Sequence, residues 1–345
     1  MVSSRLTRRT ILGGFGALAL GSLVGCGPGS PSQNGSNSGD SDEVTYQLSW
    51  THSVQFGGTY LARDRGLFEE LGLSVRLAAG GPNVAGDANT VSGAALMNIS
   101  VADGVARSNA EGADLVIIGA QYQKSPATIL SLADAPLRTP EDLAGRKIGV
   151  AGTDTPGLNA FLSINDLLDR VEFVPSQYDP AVLTAGQVDG LYCFYNDLPV
   201  ALAVQGIEGH SMLLADFGYN PMSQTYAVLR SSLADATRHD QILRLVRGDA
   251  RGWQLYKDDP QAAAELTVAA YPDAGLDLDT QRRQAEVQLD IMFSDLTDEF
   301  GFGWFTDEQV QDNLRLFEVL GIEGGTEQLW DRSILEEVYA DGPTA

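Results

Sequence analysis

Residues 48–77 read LSWTHSVQFGGTYLARDRGLFEELGLSVRL, and this stretch decides the fold. The residues leading into it, Val44 to Trp50, alternate between apolar and polar side chains, which predicts a strand. A Gly-containing loop follows, then a helix from about Gly58 to Arg65, and SVRLAAGG at 74–81 predicts another strand. The stretch therefore predicts a β-α-β unit, in which the two strands are parallel.

The alternation of strands and helices continues to about residue 216 and predicts an α/β fold with a mostly parallel sheet covered on both faces. Two extended segments, TILSLADAP at 128–136 and SQTYAVLR at 223–230, predict crossings between two lobes and hence a hinge. A body of about 300 residues is long enough for two such cores.

Helices dominate after the second crossing, and we expect this helical C-terminal part to pack on the first lobe. The predicted helices span 233–257, 260–270, 279–291, 306–320 and 326–338. The predicted domain organisation is lobe 1 at 44–128 and 226–345, and lobe 2 at 129–225.

The N-terminus predicts export and lipid anchoring. Arg8 and Arg9 precede an uncharged run from Ile11 to Gly25, which is typical of a twin-arginine signal. Leu23-Val24-Gly25-Cys26 resembles a lipobox, in which Cys26 would be lipidated, so we predict a lipoprotein signal peptide at 1–26. Residues 27–43 are small, polar or acidic and predict a flexible linker. The alternative is a short buried helix or an uncleaved anchor.

Composition excludes several classes of function. The chain has 22 basic and 46 acidic residues, a net charge of −24, which argues against binding to nucleic acid. Its two cysteines are Cys26 and Cys193, so lipidation of Cys26 leaves no intramolecular disulfide, and we expect Cys193 to be buried and inert. His52, His210 and His239 have no metal-ligand spacing, and neither a nucleophile elbow nor a P-loop is present. We predict no metal, no cofactor and no catalytic residue.

Several stretches together resemble a known family of bacterial transport proteins. They are the opening stretch, TPEDLAGRKIGV at 139–150, AGQVDGLYCFYND at 185–197 and DFGYNP at 216–221. Their order and spacing resemble the thiamine-pyrimidine-precursor-binding proteins of ABC importers, which are related to yeast pyrimidine-precursor synthases and to sulfonate- and nitrate-binding proteins.

This resemblance implies the bilobal type II periplasmic-binding-protein fold and an extracytoplasmic, lipid-anchored receptor. Its ligand would be a flat heteroaromatic molecule such as hydroxymethylpyrimidine or formylaminopyrimidine, and its partners the permease and ATPase of the same importer. We expect a monomer that binds no nucleic acid.

Residues at strand ends of the first lobe agree with such a ligand, because ligands of α/β sheets bind outside the carboxyl ends of the strands. An aromatic face, an amide and glycines that let the backbone come close follow the first strand, and two polar residues end another. The candidates are Trp50, Gln55, Phe56, Gly57, Gly58, Tyr60, Asn98 and Ser100. Trp50 is alternatively a core residue, and Asn98 and Ser100 alternatively satisfy backbone groups.

The second lobe offers a matching set of polar and aromatic residues, which would sandwich a planar ring against the first set. The candidates are Thr153, Asp154, Thr155, Tyr192, Phe194, Tyr195 and Asn196, with residues 216–220 as a further rim. Thr153 or Asp154 is alternatively a helix N-cap. Consecutive strand residues point to opposite faces, so at least one of the three aromatics at 192–195 must turn away from the ligand.

Three other functions remain open at this stage. An alternative is that the receptor takes sulfonate, nitrate or riboflavin, although the absence of an Arg cluster disfavours the two anions. The chain is alternatively an enzyme like the pyrimidine synthases, which carry a cysteine-rich stretch where this chain has only Cys193. It is alternatively a scaffold lipoprotein of the same fold. We expect His52 to be an outer-loop residue rather than a ligand contact.

Overall fold

The computed structural model describes residues 42–151 and 156–345, which include ten strands. The strands are β1 (Asp42–Gln47), β2 (Leu73–Ala78), β3 (Met97–Val101), β4 (Leu115–Tyr122), β5 (Ala127–Leu132), β6 (Lys147–Ala151), β7 (Glu172–Ser176), β8 (Gly190–Phe194), β9 (Gly209–Leu213) and β10 (Ser223–Leu229). The strand β1 begins two residues before the expected start of lobe 1 at Val44, so Asp42 and Glu43 belong to the sheet rather than to the predicted linker.

Helices connect and follow these strands. The α-helices are α1 (Gly57–Asp64), α2 (Leu67–Glu70), α3 (Gly86–Val91), α4 (Ala102–Ala110), α5 (Pro156–Ile164), α6 (Ala181–Thr184), α7 (Leu198–Val204), α8 (Arg230–Ala234), α9 (Ala236–Asp258), α10 (Pro260–Ala270), α11 (Leu278–Met292), α12 (Asp295–Phe300), α13 (Asp307–Val319) and α14 (Ser333–Val338). Short 3-10 helices lie at Val54–Phe56, Pro140–Leu143, Leu214–Phe217, Pro272–Ala274 and Glu327–Leu329. Among these described helices, none is long and apolar enough to cross a membrane.

The strands form two five-stranded sheets of the same design. The first sheet has the order β2-β1-β3-β10-β4 and the second has the order β7-β6-β8-β5-β9. In the first sheet β2, β1 and β3 are parallel, and β10 is antiparallel to both of its neighbours. In the second sheet β7, β6 and β8 are parallel, and β5 is antiparallel to both neighbours. The predicted bilobal α/β fold is therefore confirmed.

The chain passes between the sheets twice, between β4 and β5 and between β9 and β10. The segments that we predicted to be extended crossings are the antiparallel strands β5 and β10, each of which is inserted into the sheet that the chain has just entered. We use "first lobe" for the first sheet with the helices packed on it, and "second lobe" for the second sheet with its helices.

The second sheet is covered on both faces, as alternate side chains of β5 demonstrate. Ile129 belongs to a cluster with Ile148 and Phe161, whereas its neighbour Leu130 belongs to a separate cluster with Leu202. Successive strand residues point to opposite faces, so two separate cores form on one sheet. A strand buried on both faces is almost continuously apolar, which explains the composition of ATILSL in β5.

The C-terminal helices pack on the first lobe. Residues of α9, α11, α13 and α14 share one hydrophobic core with β1, β3, β4 and β10. Helices α1 and α9 approach closely because glycines face each other: a Cβ on Gly252 would lie 2.1 Å from the carbonyl oxygen of Gly58, and a Cβ on Gly58 would lie 2.2 Å from the Trp253 ring. No side chain fits at either position.

Two of the predicted C-terminal helices are interrupted. Asp235 caps α9 by accepting a hydrogen bond from the Arg238 N–H (2.9 Å), which separates α8 from α9 within the predicted helix 233–257. The predicted helix 326–338 is broken because the Asp331 N–H donates to the Ile117 carbonyl (2.9 Å), and Trp330 forms an isolated parallel β-bridge with Ile117 of β4. A local sequence pattern contains no information about such a distant backbone partner.

Candidate functional site

A cavity of about 530 Å³ lies between the two sheets and takes its lining from both. The loop after β1, the end of β3, the helices α3 and α4 and the start of β10 contribute from the first lobe, and the strand β8 contributes from the second. The lining residues are Leu48, Ser49, Trp50, Gln55, 84–88, 99–101, Asp103, Gly104, Arg107, Ser108, Glu111, Ser125, Ala127, Pro156, Gly157, Tyr178, 192–194, Tyr219, Pro221, Ser223 and Gln224. A cavity of this size, largely apolar with a few polar groups, is typical of small-molecule sites.

Two aromatic rings meet across this cavity. Trp50 follows β1 in the first lobe and Tyr178 follows β7 in the second, and their ring centroids are 5.4 Å apart with a tilt of 59°. The Phe194 N–H donates to the Tyr178 hydroxyl (3.4 Å), which fixes the direction of that ring. Tyr178 is not among the residues that we predicted from the sequence, although it follows the end of a strand and lies between the polar residues Gln177 and Asp179.

Gln55 lines the cavity from the short 3-10 helix Val54–Phe56, which α11 holds in place. The Val54 N–H donates to Gln281 Oε1 (2.7 Å), and Gln288 Nε2 donates to the Gln55 carbonyl (3.3 Å). Gln55 itself is 8% exposed. The buried polar side chains of α11 therefore position the loop that carries both Gln55 and Trp50.

A bulge in β10 directs Gln224 towards the cavity. Gln224 has φ of 51°, a left-handed conformation that is uncommon for a residue with a side chain, and the strand register shifts between Ser223 and Thr225. Its Oε1 accepts a hydrogen bond from Ser49 Oγ (3.0 Å). Strained backbone of this kind concentrates at functional sites. The sequence contains no glycine here to signal the bulge.

Carboxylates from α3 and α4 form an acidic side of the cavity. Asp87 Oδ1 accepts from Asn98 Nδ2 (2.7 Å), and its Oδ2 accepts from Ser108 Oγ (2.8 Å). Asp103 Oδ2 accepts from the Tyr219 hydroxyl (3.2 Å) and lies 4.0 Å from an Arg107 nitrogen. Burial raises the pKa of Asp103, while Arg107 and Tyr219 act in the opposite direction. None of these carboxylates is among the residues that we predicted.

The second lobe closes the cavity with Tyr192, Phe194 and Tyr219. A Cβ on Gly157 would lie 2.5 Å from the Tyr192 hydroxyl oxygen and 2.8 Å from that of Tyr219, so glycine at the start of α5 lets both hydroxyls approach. Cys193 is 3% exposed, and burial raises the pKa of its thiol well above the usual value. An inert thiol agrees with the expectation from the sequence.

Six of the residues that we predicted at the site line the cavity, namely Trp50, Gln55, Ser100, Tyr192, Phe194 and, from the predicted rim at 216–220, Tyr219. Others lie elsewhere: Phe56 and Tyr60 are buried in a small cluster with Leu48, and Gly58 packs against α9. Tyr195 does not belong to the lining either; its N–H donates to the Pro126 carbonyl (2.8 Å). Thr153, Asp154 and Thr155, like Cys26, lie outside the described residues.

Asn98 acts on the cavity only through a neighbour. It is fully buried, its Oδ1 accepts from Thr90 Oγ1 (2.7 Å), and its amide donates to Asp87. Its position at the end of β3 predicted a ligand contact, but the side chain instead orients a carboxylate that does line the cavity.

Asn196 and Asp197 join the second lobe to α11 of the first. Asn196 Nδ2 donates to Gln288 Oε1 (2.9 Å) and to the Tyr122 hydroxyl (3.2 Å). Gln284 Nε2 donates to Asp197 Oδ1 (2.6 Å). We call this group the interlobe contact. Burial raises the pKa of Asp197 to about 6, and its hydrogen bonds with Tyr178 and Gln284 oppose part of this increase.

His52 lies outside the lining, where its ring stacks on Tyr271 with centroids 3.7 Å apart and its Nδ1 is 2.9 Å from the Tyr60 hydroxyl. Burial lowers the pKa of His52. Within the described ranges, no group of three or more His, Cys, Asp or Glu side chains could hold a metal ion.

Comparison with known proteins places this geometry in context. The profile of the family described as "NMT1/THI5 like" matches residues 53–263. The riboflavin-binding protein RibY of Chloroflexus aurantiacus is 26% identical over 278 residues, which are 78% of this chain and 78% of that protein.

Solved structures are similar in fold. One is the ligand-binding component of an ABC-type import system from Staphylococcus aureus with zinc bound, which is 10% identical with a TM-score of 0.61 over 86% of this chain and 99% of that one. Another is the periplasmic aliphatic sulphonate binding protein SsuA of Escherichia coli, which is 15% identical with a TM-score of 0.59 over 81% of this chain and 87% of that one.

Proposed function

Because the chain belongs to the NMT1/THI5-like family, we propose that it is the extracytoplasmic solute-binding component of an ABC importer, which captures a small planar heteroaromatic molecule. The observation that carries this proposal is the cavity of about 530 Å³ between the lobes, where Trp50 of the first lobe contacts Tyr178 of the second and Tyr192 and Phe194 also line the space. Aromatic side chains in the lining suit a flat ligand, because offset and tilted ring contacts stabilise it.

Binding requires no covalent step in this proposal. The ligand enters between the lobes, each lobe contributes contacts, and the closed arrangement docks on the permease, whose ATPase drives import. Two chain crossings between the sheets support a hinge of this kind. The lobe boundaries from the sequence, 44–128 with 226–345 and 129–225, stay part of the proposal.

Riboflavin and a thiamine pyrimidine precursor are the two ligands that we propose to test first. The sequence alone favoured hydroxymethylpyrimidine or formylaminopyrimidine. Two observations favour riboflavin: the similarity to RibY, which is a riboflavin-binding protein, and a cavity larger than a single six-membered ring needs. Both ligands are flat rings with nitrogen donors and acceptors, so the same aromatic and polar lining suits either.

Sulfonate or nitrate suits the cavity less well, although SsuA of E. coli is a sulphonate binding protein. Such anions require fixed cationic donors. The described lining contains three carboxylates, Asp87, Asp103 and Glu111, against the single guanidinium of Arg107. A synthase-like enzyme is the remaining alternative, and the burial and raised pKa of the Cys193 thiol argue against a nucleophilic role for it.

Export and anchoring are also part of the proposal. Arg8 and Arg9 would direct twin-arginine export, and lipid on Cys26 would hold the receptor on the outer side of the cell membrane, close to its permease. Incorporation of labelled fatty acid into the wild-type chain, absent from a Cys26→Ala chain, is the expected outcome.

The test of ligand binding is titration calorimetry on the protein without its signal peptide. Riboflavin, hydroxymethylpyrimidine, formylaminopyrimidine, taurine and nitrate are titrated in turn, and each mixture is then checked for new products. Saturable binding of one ring compound without turnover supports the receptor. Turnover identifies an enzyme, and no binding by any compound contradicts the proposed ligand class.

A further inference from the structure

We propose that the cavity excludes anions and that Asp103, supported by Asp87, determines this selectivity, so that the solute carries no phosphate or sulfonate group. This inference deepens the proposed function and rests on it. It distinguishes, for example, a free vitamin from its phosphate ester, which have the same ring.

The starting point is the N-terminus of α4, which faces the cavity. Val101, Asp103 and Gly104 all line it. The first turn of a helix has N–H groups without helical partners and a partial positive charge, and it attracts phosphate, sulfate and carboxylate groups. A neutral side chain at position 103 would therefore make this end of the cavity favourable for an anion.

The chain supplies its own carboxylate at this point. Asp103 is the second residue of α4 and is 2% exposed. Its Oδ2 is held by the Tyr219 hydroxyl and lies near Arg107, and its Oδ1 has no hydrogen-bond partner among the described residues. The positive end of the helix therefore already has a negative partner. An incoming anion would have to approach that carboxylate with little intervening water, where like charges repel most strongly.

Asp87 adds a second carboxylate on the same side. It is the second residue of α3, and hydrogen bonds from Asn98 and Ser108 hold both of its oxygens in a fixed direction. Arg107 is the one basic side chain among the described lining residues, and its nearest carboxylate is Asp103. The fixed charges of the lining therefore favour neutral or cationic groups with N–H donors.

The first experiment needs no knowledge of the solute. Ethanesulfonate, sulfate and phosphate are titrated into the protein without its signal peptide and into the Asp103→Asn and Asp87→Asn variants. Burial raises the pKa of Asp103, so pH 8 is used to keep its carboxyl ionised. We expect no measurable binding to wild type and at least a tenfold gain in affinity for one of the anions in Asp103→Asn.

Asp279→Asn is the matched control. Asp279 is the second residue of α11, the same position as Asp103 in α4, but it lies on the surface outside the cavity. The Asp279→Asn variant should gain no affinity for these anions. Tight anion binding by wild type would overturn the inference, and so would a lack of gain in both cavity variants. Asp87→Asn keeps the test valid if Asp103→Asn does not fold.

The second experiment compares riboflavin with riboflavin 5′-phosphate. We expect wild type to bind riboflavin 5′-phosphate at least tenfold more weakly than riboflavin, which corresponds to about 1.4 kcal/mol. In Asp103→Asn, the ratio of these two affinities should be smaller. Equal affinities in wild type would contradict anion exclusion while leaving the receptor function intact. If wild type does not bind riboflavin, riboflavin is not the solute, and the anion titrations still decide whether the cavity excludes anions.

Discussion

At the scale of single residues, Trp50 links the first strand to the proposed ligand site. Its ring reaches across the cleft to Tyr178, while the loop behind it is held by hydrogen bonds from α11. A ring held in this way loses little freedom when a ligand binds, so most of its contact with the ligand contributes to affinity.

Replacement of Trp50 by alanine should weaken binding of the ring ligand at least tenfold, a loss of about 1.4 kcal/mol. The reason is loss of one aromatic face of the cavity. Titration calorimetry gives the affinity, and the melting temperature verifies folding. Trp50→Phe is the matched control and should retain most of the affinity. Unchanged binding in Trp50→Ala would remove Trp50 from the site.

Asp249 is a buried carboxylate with a structural role in the first lobe. It is fully buried and accepts hydrogen bonds from Thr59 Oγ1 (2.5 Å), the Tyr226 hydroxyl (2.6 Å) and Trp253 Nε1 (3.1 Å). Burial raises the pKa of Asp249 to about 6, and the hydrogen bonds only partly oppose this. The folded state therefore holds a proton on this group at pH values where the unfolded chain has already lost it.

This shift predicts how stability depends on pH. Since the unfolded pKa is about 4, the contribution of Asp249 to the unfolding free energy is complete below about pH 4 and is lost as pH rises to about 6. Urea unfolding gives the unfolding free energy at pH 4.5 and at pH 7.5. The decrease in this free energy from the lower to the higher pH should be smaller by roughly 2 kcal/mol in Asp249→Asn than in wild type. Asp258, which is exposed at the end of the same helix α9, provides the control variant Asp258→Asn, which should behave as wild type. Equal pH dependence in Asp249→Asn and wild type would contradict the raised pKa.

Residues next to a recognisable strand end are the ones that the sequence could identify. Trp50 and Gln55 follow the first strand, and Tyr192 and Phe194 lie at the end of β8, so the strand-end rule found them. Asp103 looks like an ordinary first-turn acidic residue, and Tyr178 follows a short strand without any distinctive signal. These two residues matter at the cavity because the fold brings each a partner from the opposite lobe, Tyr219 for Asp103 and Trp50 for Tyr178. A local sequence pattern contains no information about such a partner.

At the scale of elements, the contact between α1 and α9 sets the position of the loop that precedes α1. Gly58 and Gly252 meet at this contact with no room for a methyl group, and Trp253 packs directly over Gly58. The predicted β-α-β unit placed Gly58 at the start of a helix, as observed, but assigned its small size to the ligand. Its actual reason is the close approach of a helix that lies about 190 residues further along the chain.

Gly252→Ala should destabilise the protein by about 1–3 kcal/mol, since the added methyl group forces the two helices apart. Urea unfolding measures the change, and ligand affinity should fall as well because the loop with Trp50 and Gln55 shifts. Gln254→Ala is the control on the exposed side of α9 and should change the unfolding free energy by less than about 0.5 kcal/mol. A fully stable Gly252→Ala protein would contradict the close packing.

At the scale of the whole molecule, the interlobe contact holds the two lobes together beside the cavity. Gln288 accepts hydrogen bonds from Asn196 of the second lobe and also from the Tyr122 hydroxyl (3.2 Å), while its own amide donates to Gln55. One side chain thus connects the second lobe, the end of β4 and the loop that lines the cavity.

Gln288→Ala should therefore make the closed arrangement less stable and accelerate ligand release at least fivefold, with a smaller effect on the association rate. Stopped-flow measurement of the dissociation rate provides the test. Asp290→Ala, on the exposed side of the same helix, is the control and should leave release unchanged. An unaltered dissociation rate in Gln288→Ala would show that the contact does not restrain opening.

The position of β10 between β3 and β4 has a consequence for synthesis of the chain. The second sheet is built from consecutive strands, β5 to β9, and is complete once residue 213 has been made. The first sheet lacks its antiparallel strand β10 until residue 229, and its core also needs α9, α10, α11, α13 and α14. The lobe whose residues are synthesised first is therefore completed last, and it can fold fully only after α14 has left the ribosome.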